Sequence, residues 1–93
     1  MTPASSPTPR RRRVLLLDDE VLILRAARRA LIAAGLDVTM TTDGKEALES
    51  ITNDPPDAVV SDLHMPEECG ARFLTEVASI HPGIVRILSS ADL

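Results

Sequence analysis

Asp18, Asp19 and Glu20 follow directly on the apolar run Val14-Leu15-Leu16-Leu17, and Asp62 closes a second run, Ala58-Val59-Val60-Ser61. Both acidic sets stand where a buried strand would end. Neighbouring strands of a parallel sheet present their carboxyl ends at one edge, so a strand-terminal Asp pair and a strand-terminal lone Asp converge on one pocket. Carboxylates held a few ångströms apart repel by roughly 4 kcal/mol per close pair at an effective dielectric near 20. That repulsion raises their pKa values unless a cation is present. Alone, an Asp-Asp-Glu run after a strand is also what a helix N-terminus carries to suit its macrodipole. Asp62, at the end of another apolar run, favours the converging site.

The elements that must position these acids are legible in the hydrophobic periodicity. Ninety-three residues, 44% of them hydrophobic, suit one small domain, and with Phe73 as the only aromatic its core must be packed by Leu, Ile, Val and Ala. Short β-branched or Leu-rich runs alternate with longer helical stretches, the pattern of an α/β fold with a parallel sheet. A first strand is predicted over 13–17. A helix follows over 20–34, in which Ile23, Ala27, Ala30, Leu31 and Ala34 recur at helical spacing while Arg25, Arg28 and Arg29 fall on the other side. Gly35 supplies a left-handed residue to end that helix, and 36–40 is a short strand whose polar Thr39 suggests an edge. Asp43 and Glu46 have the spacing of a capping box for a second helix carrying Ala47, Leu48 and Ile51, which Asn53-Asp54-Pro55-Pro56 stops. The third strand, over 57–62, is nearly all apolar as a central parallel strand should be, and Met65-Pro66 forces an extended turn beyond it. A third helix over 70–80 carries Phe73, Leu74, Val77 and Ile80; His81-Pro82-Gly83 breaks it before a fourth strand over 84–89.

Charge and cysteine content narrow the functional classes. Residues 14–93 carry 14 acids against 6 bases, a net of −8, which makes that body a poor binder of nucleic acid. Four of the ten basic residues form the run Arg10 to Arg13, reached through residues 2–9, which are only Pro, Ser, Thr and Ala. Residues 1–12 therefore read as a disordered basic tail, solvated rather than engaged, and 13–93 as the domain. Cys69 is the only cysteine, so no intrachain disulfide forms and a reducing cytoplasm fits best. As a secretory signal the Arg run fails, because Asp18, Asp19 and Glu20 cut the apolar region after four residues. No stretch approaches the ~18 apolar residues of a membrane span.

With the elements placed, Leu17-Asp18-Asp19-Glu20, then Asp43-Gly44-x-x-Ala47-Leu48, then Ser61-Asp62-Leu63-His64-Met65-Pro66 with Gly70 beyond resemble the receiver domain of two-component response regulators. Order and spacing match over nearly all of the chain from Val14 to Leu93. The resemblance implies a flavodoxin-like doubly wound parallel sheet, here in the order 2-1-3-4, and a job for each matching position. Asp62 would be the phosphoacceptor, taking a phosphoryl group from the phosphohistidine of a sensor histidine kinase or a phosphotransfer protein in a phosphorelay. Asp19 would bind Mg²⁺ directly and Asp18 directly or through water, with Asp62 and the backbone carbonyl of His64 completing the protein's share. Oxygen ligands of this charge suit Mg²⁺ or Mn²⁺. A switch hydroxyl at the end of the fourth strand would donate to the new phosphoryl oxygen; Ser90, followed by small Ala91, fits better than Ser89, and both stay open. The role implied is that of a cytoplasmic phosphoacceptor regulator rather than an enzyme, with no membrane partner and no direct nucleic-acid contact.

The sequence departs from that family at its end. A receiver continues through a fourth helix, a fifth strand carrying a Lys near its end that pairs with the phosphoryl group, and a fifth helix, all expected to be absent from a chain that stops at Leu93. The only Lys, Lys45, reads as a solvated residue at the start of the second helix. Two expectations follow: weakened phosphorylation chemistry, and a fourth strand left as a bare apolar edge with one face of strands one and three uncovered, which invites homo-oligomerisation. The alternative function is a degenerate interaction module that keeps the receiver fold without being phosphorylated; loss of the Lys favours it and the intact acids argue against it. A phosphatase of the haloacid-dehalogenase type would want a second Asp two residues after the nucleophile, where this chain has His64. His64, Cys69 and His81 match no common zinc spacing.

Overall fold

Val14, Leu15, Leu16 and Leu17 are all buried, which makes β1 (Arg13–Leu17) a central strand: Leu15 and Leu17 face one layer of helices, Val14 and Leu16 the other. The computed structural model describes residues 11–62 and 70–89. After β1 the chain runs through α1 (Val21–Ala33), β2 (Asp37–Thr41), α2 (Gly44–Asn53), β3 (Ala58–Asp62), α3 (Gly70–Ile80) and β4 (Val85–Ser89). All strand pairs are parallel and the order is β2-β1-β3-β4, the doubly wound arrangement expected from the sequence. Thr39 does lie on an edge strand.

Two clusters hold the layers together. Below the sheet, Leu15, Leu17 and Val59 pack against Ala47 and Ile51 of α2 and Phe73, Leu74 and Val77 of α3. Above it, Val14 and Leu16 pack against Leu24, with Ala27 and Leu31 of α1 and Val38, Ala58 and Val60 of the sheet alongside. Each Leu or Phe so buried contributes about 1.5–3 kcal/mol against its exposed state. Gly35 takes φ 93°, the left-handed conformation that ends α1 and that a side chain would strain.

Several local expectations are corrected. The contact stripe of α1 runs through Leu24, Ala27 and Leu31, while Ile23 is 39% exposed and Ala30 and Ala34 lie in solvent. A helix reading VLILRAARRALIA is apolar over a wide arc, so spacing alone leaves open which part of the arc meets the sheet. On α3, Ile80 is likewise exposed. The capping box at Asp43 does not close. Asp43 accepts from the Lys45 N–H at 2.9 Å, but Glu46 accepts from the Thr41 hydroxyl at 3.3 Å, and the Asp43 N–H donates instead to the Thr41 Oγ1 at 3.1 Å. Thr41, two residues before Asp43 at the end of β2, has taken the place that the box assigns to Glu46.

The basic run is only partly a solvated tail. The Arg12 carbonyl accepts from the Asp37 N–H at 2.9 Å, and Arg11 approaches Asp37. Arg13 donates its N–H to the Asp57 carboxylate and its guanidinium to Asp54 and the Pro55 carbonyl, pinning the start of β1 to the loop before β3. The hydrogen bond it donates to Asp54 holds the Arg13 guanidinium above its ordinary pKa.

The uncovered surface also differs from expectation. Val14 and Leu16 of β1 are 8% and 4% exposed, because α1 covers them. The expected bare edge on β4 is present, with Val85, Ile87 and Leu88 58%, 47% and 43% accessible. Among the described residues, no helix is long and apolar enough to cross a membrane.

Candidate functional site

The β1/β3 register pairs Leu17 with Ser61, and continuing it by one residue sets Asp18 beside Asp62, the last residue of β3. Asp19 follows in the turn that leads into α1. One carboxylate oxygen from each of Asp18, Asp19 and Asp62 lies within 4.8 Å of the other two. The three acids singled out from strand-terminal position are thus brought together at the carboxyl edge of the sheet. Glu20 is outside that cluster: it occupies the N-cap position of α1 in an extended conformation, its carbonyl accepting from the Leu24 N–H at 3.1 Å.

Each acid is held differently. Asp18 is half-buried, and its Oδ1 accepts from the Glu20 N–H at 2.9 Å, a local turn that fixes the carboxylate. Its own N–H continues the β1/β2 ladder to the Thr41 carbonyl. Burial pushes the Asp18 carboxyl above its ordinary pKa; the Glu20 N–H opposes this, and the neighbouring charges of Asp62 and Asp19 add to it. Asp19 is exposed and reaches the cluster from the solvent side, while Asp62 is half-buried. A carboxylate whose ionisation is made costlier by burial and by two like charges fits a divalent cation, which supplies positive charge through oxygen ligands.

Beneath Asp62, Ser61 is fully buried and donates its hydroxyl to the Asp62 carbonyl at 3.1 Å. Sequence reading passed over it. Its signal was a hydroxyl at the last inward position of an otherwise apolar strand, which satisfies itself on local backbone and steadies the residue that carries the acid. Ser89 pairs with Asp62 across the β3/β4 register. Ser90 and His64 lie outside the described residues, as do Cys69, Glu67 and Glu68. Lys45 is exposed at the start of α2, where its N–H caps onto Asp43.

The profile of the response regulator receiver domain family matches residues 14–92. The DNA-binding transcriptional regulator NtrC of Klebsiella pneumoniae is 36% identical over 63 residues, which are 68% of this chain and 13% of that protein. Response regulator MprA of Mycolicibacterium vanbaalenii is 39% identical over 66 residues, 70% of this chain and 29% of that protein. Among solved structures, the chemotaxis response regulator CheY4 of Vibrio cholerae aligns with a TM-score of 0.79 at 28% identity, over 85% of this chain and 68% of that one. The chain spans under a third of the length of these two curated relatives.

Proposed function

The chain belongs to the response regulator receiver domain family, and from that premise we propose that Asp62 accepts a phosphoryl group from the phosphohistidine of a sensor histidine kinase or a phosphotransfer protein. The observation that supports this reading is the convergence of the Asp18, Asp19 and Asp62 oxygens within 4.8 Å at the carboxyl edge of the sheet. A carboxylate oxygen of Asp62 attacks the phosphorus; the new O–P bond forms as the N–P bond of the phosphoimidazole breaks, and the released nitrogen keeps the electron pair and takes up a proton. Asp18, Asp19 and Asp62, with the carbonyl of His64, would hold Mg²⁺ or Mn²⁺. Bound there, the cation offsets the carboxylate charge and polarises the incoming phosphoryl group. Ser61 steadies the Asp62 backbone while the side chain reacts. Ser90 is the proposed switch hydroxyl, with Ser89 as the alternative because it stands beside Asp62 in the register.

On this reading the protein is a cytoplasmic phosphoacceptor rather than an enzyme, its domain covering 13–93 behind a basic tail at 1–12, and the 93-residue chain self-associates through the sheet edge at β4. Incubation with Mg²⁺ and a phosphorylated kinase, or with acetyl phosphate as donor, should give a hydroxylamine-labile label. Asp62→Asn should take up none and keep the native far-UV circular dichroism. Label persisting on the folded variant, or none on the parent chain, would overturn the assignment.

A further inference from the structure

The Asp cluster uses none of the basic residues of α1. Arg25, Arg28 and Arg29 stand at i, i+3 and i+4, so they share one helix face, and with Ile32 at i+7 and Met40 of β2 they line an open groove of about 410 Å³. No acid interrupts them: the thirteen residues of α1 contain three arginines and no carboxylate. Among the described residues no carboxylate pairs with any of the three. Like charges at that spacing repel one another, and in a body whose net charge is −8 they form the one concentrated positive face of α1. The floor beside them is apolar, with Ile32 and Met40 40% and 37% exposed.

Among the described residues, no strand pairs with the outer edge of β2, the strand that flanks the groove. Asp37 donates its N–H to the Arg12 carbonyl and Thr41 accepts from the Asp18 N–H, so residues 37, 39 and 41 direct their backbone groups to β1. Alternation along a parallel ladder then turns the N–H and C=O of Val38 and Met40 away from β1, at the outer edge of the sheet. Val38 and Met40 share a face with Val14 and Leu16, the face that α1 covers. A strand laid beside β2 would therefore send every second side chain toward the arginine groove.

We propose that the outer edge of β2 and the arginine face of α1 form a docking site for an extended acidic protein segment, which adds to the sheet as a fifth strand. Backbone hydrogen bonds to Val38 and Met40 provide the attachment, and alternate Asp or Glu side chains meet Arg25, Arg28 and Arg29. The occupant is a peptide rather than a nucleic acid because the net charge, −4 for the whole chain and −8 over residues 14–93, repels a long polyanion as a whole, whereas a short segment meets the local arginines alone.

The test uses the 93-residue chain and a fluorescent hexapeptide alternating glutamate and valine, followed by anisotropy at low salt. A lysine-valine hexapeptide and a labelled single-stranded oligonucleotide serve as comparisons. The acidic peptide should bind, weaken as salt rises, and shift the amide resonances of Val38 and Met40. The double variant Arg28→Glu, Arg29→Glu, altered only at exposed positions, should weaken it on the order of tenfold or more. Met40→Pro removes the outward N–H without touching the β1 ladder and should weaken it too. An acidic peptide N-methylated at alternate amides tests the same hydrogen bonds with the protein unchanged. Absence of peptide binding, equal binding by the folded charge-reversed variant, shifts confined to other elements, or preference for the oligonucleotide would each overturn the proposal.

Discussion

Asp18 is the acid that the fold half-buries, and its carboxyl is held above the ordinary value of 3.8 by that burial, with Asp62 and Asp19 adding to the effect against the Glu20 N–H. The folded chain thus keeps a proton on Asp18 at pH values where the unfolded chain has lost it. Linkage fixes the sign: where the folded state binds more protons, stability falls as pH rises. This contribution is fully present below 3.8 and is lost as pH climbs through the raised folded value. In urea titrations with chelator present, Asp18→Asn should be more stable than the parent near neutrality, and the difference should shrink as pH falls toward 3.8. A difference that stays constant over that range would show that Asp18 ionisation costs the fold nothing. On the proposed metal assignment, Mg²⁺ should reverse the order near neutrality, since a ligand of the folded state stabilises by mass action and the amide variant would bind it less well. The three acids were legible because each stands at a strand end, and parallel strands have their carboxyl ends on one edge. Glu20 reads the same way in sequence yet lies outside the cluster, because by that residue the chain has already turned into the N-cap of α1. Ser61 was not legible, since one hydroxyl in an apolar run does not say which acceptor it finds.

At the N-terminus of α2 the observed hydrogen bonds make a prediction that a capping box would not. Asp43→Ala removes the acceptor of the Lys45 N–H and should cost about 1 kcal/mol, within a range of roughly 0.5–2 kcal/mol for N-cap losses. Glu46→Ala leaves the Asp43 N–H with its Thr41 partner, so it should cost well under half as much. Urea midpoints at unchanged slope measure both; equal losses would restore the box. The boundaries of the seven elements fall within a residue or so of those read from periodicity and from Gly and Pro, because breakers act locally on the backbone. The rotation of α1 was less accessible. Leu24 rather than Ile23 anchors it, and that choice is made by the sheet beneath, whose register no single helix encodes. Thr41 was overlooked as a cap for a similar reason: its partnership with Asp43 depends on how β2 turns into α2.

For the molecule as a whole, the two sheet edges differ in kind. The β2 edge carries Asp37, Thr39 and Thr41 beside an arginine face, and charge keeps it from pairing with a copy of itself. The β4 edge lacks that protection over Val85, Ile87 and Leu88, since Arg86 folds its guanidinium back to the carbonyls of Pro82 and Ile84. The register sets Val85 and Ile87 beside Ala58 and Val60, which extends the exposed apolar surface inward from the edge. Sequence reading expected this edge to be bare and expected part of β1 to be bare with it; α1 reaches far enough across the sheet to cover Val14 and Leu16, and leaves β4. Apolar surface next to unpaired strand hydrogen-bonding groups favours pairing between copies. Light scattering of the 93-residue chain should therefore give a mass above 10.0 kDa that rises with concentration. Its thermal midpoint should rise with concentration as well, because association stabilises the folded state. Ile87→Lys puts a charge on the exposed strand at a position already 47% accessible, so it should return the mass to 10.0 kDa while the far-UV spectrum stays native. A parent chain that holds 10.0 kDa at every concentration, folded and with a constant midpoint, would mean that β4 is stable uncovered and that the sheet needs no second copy.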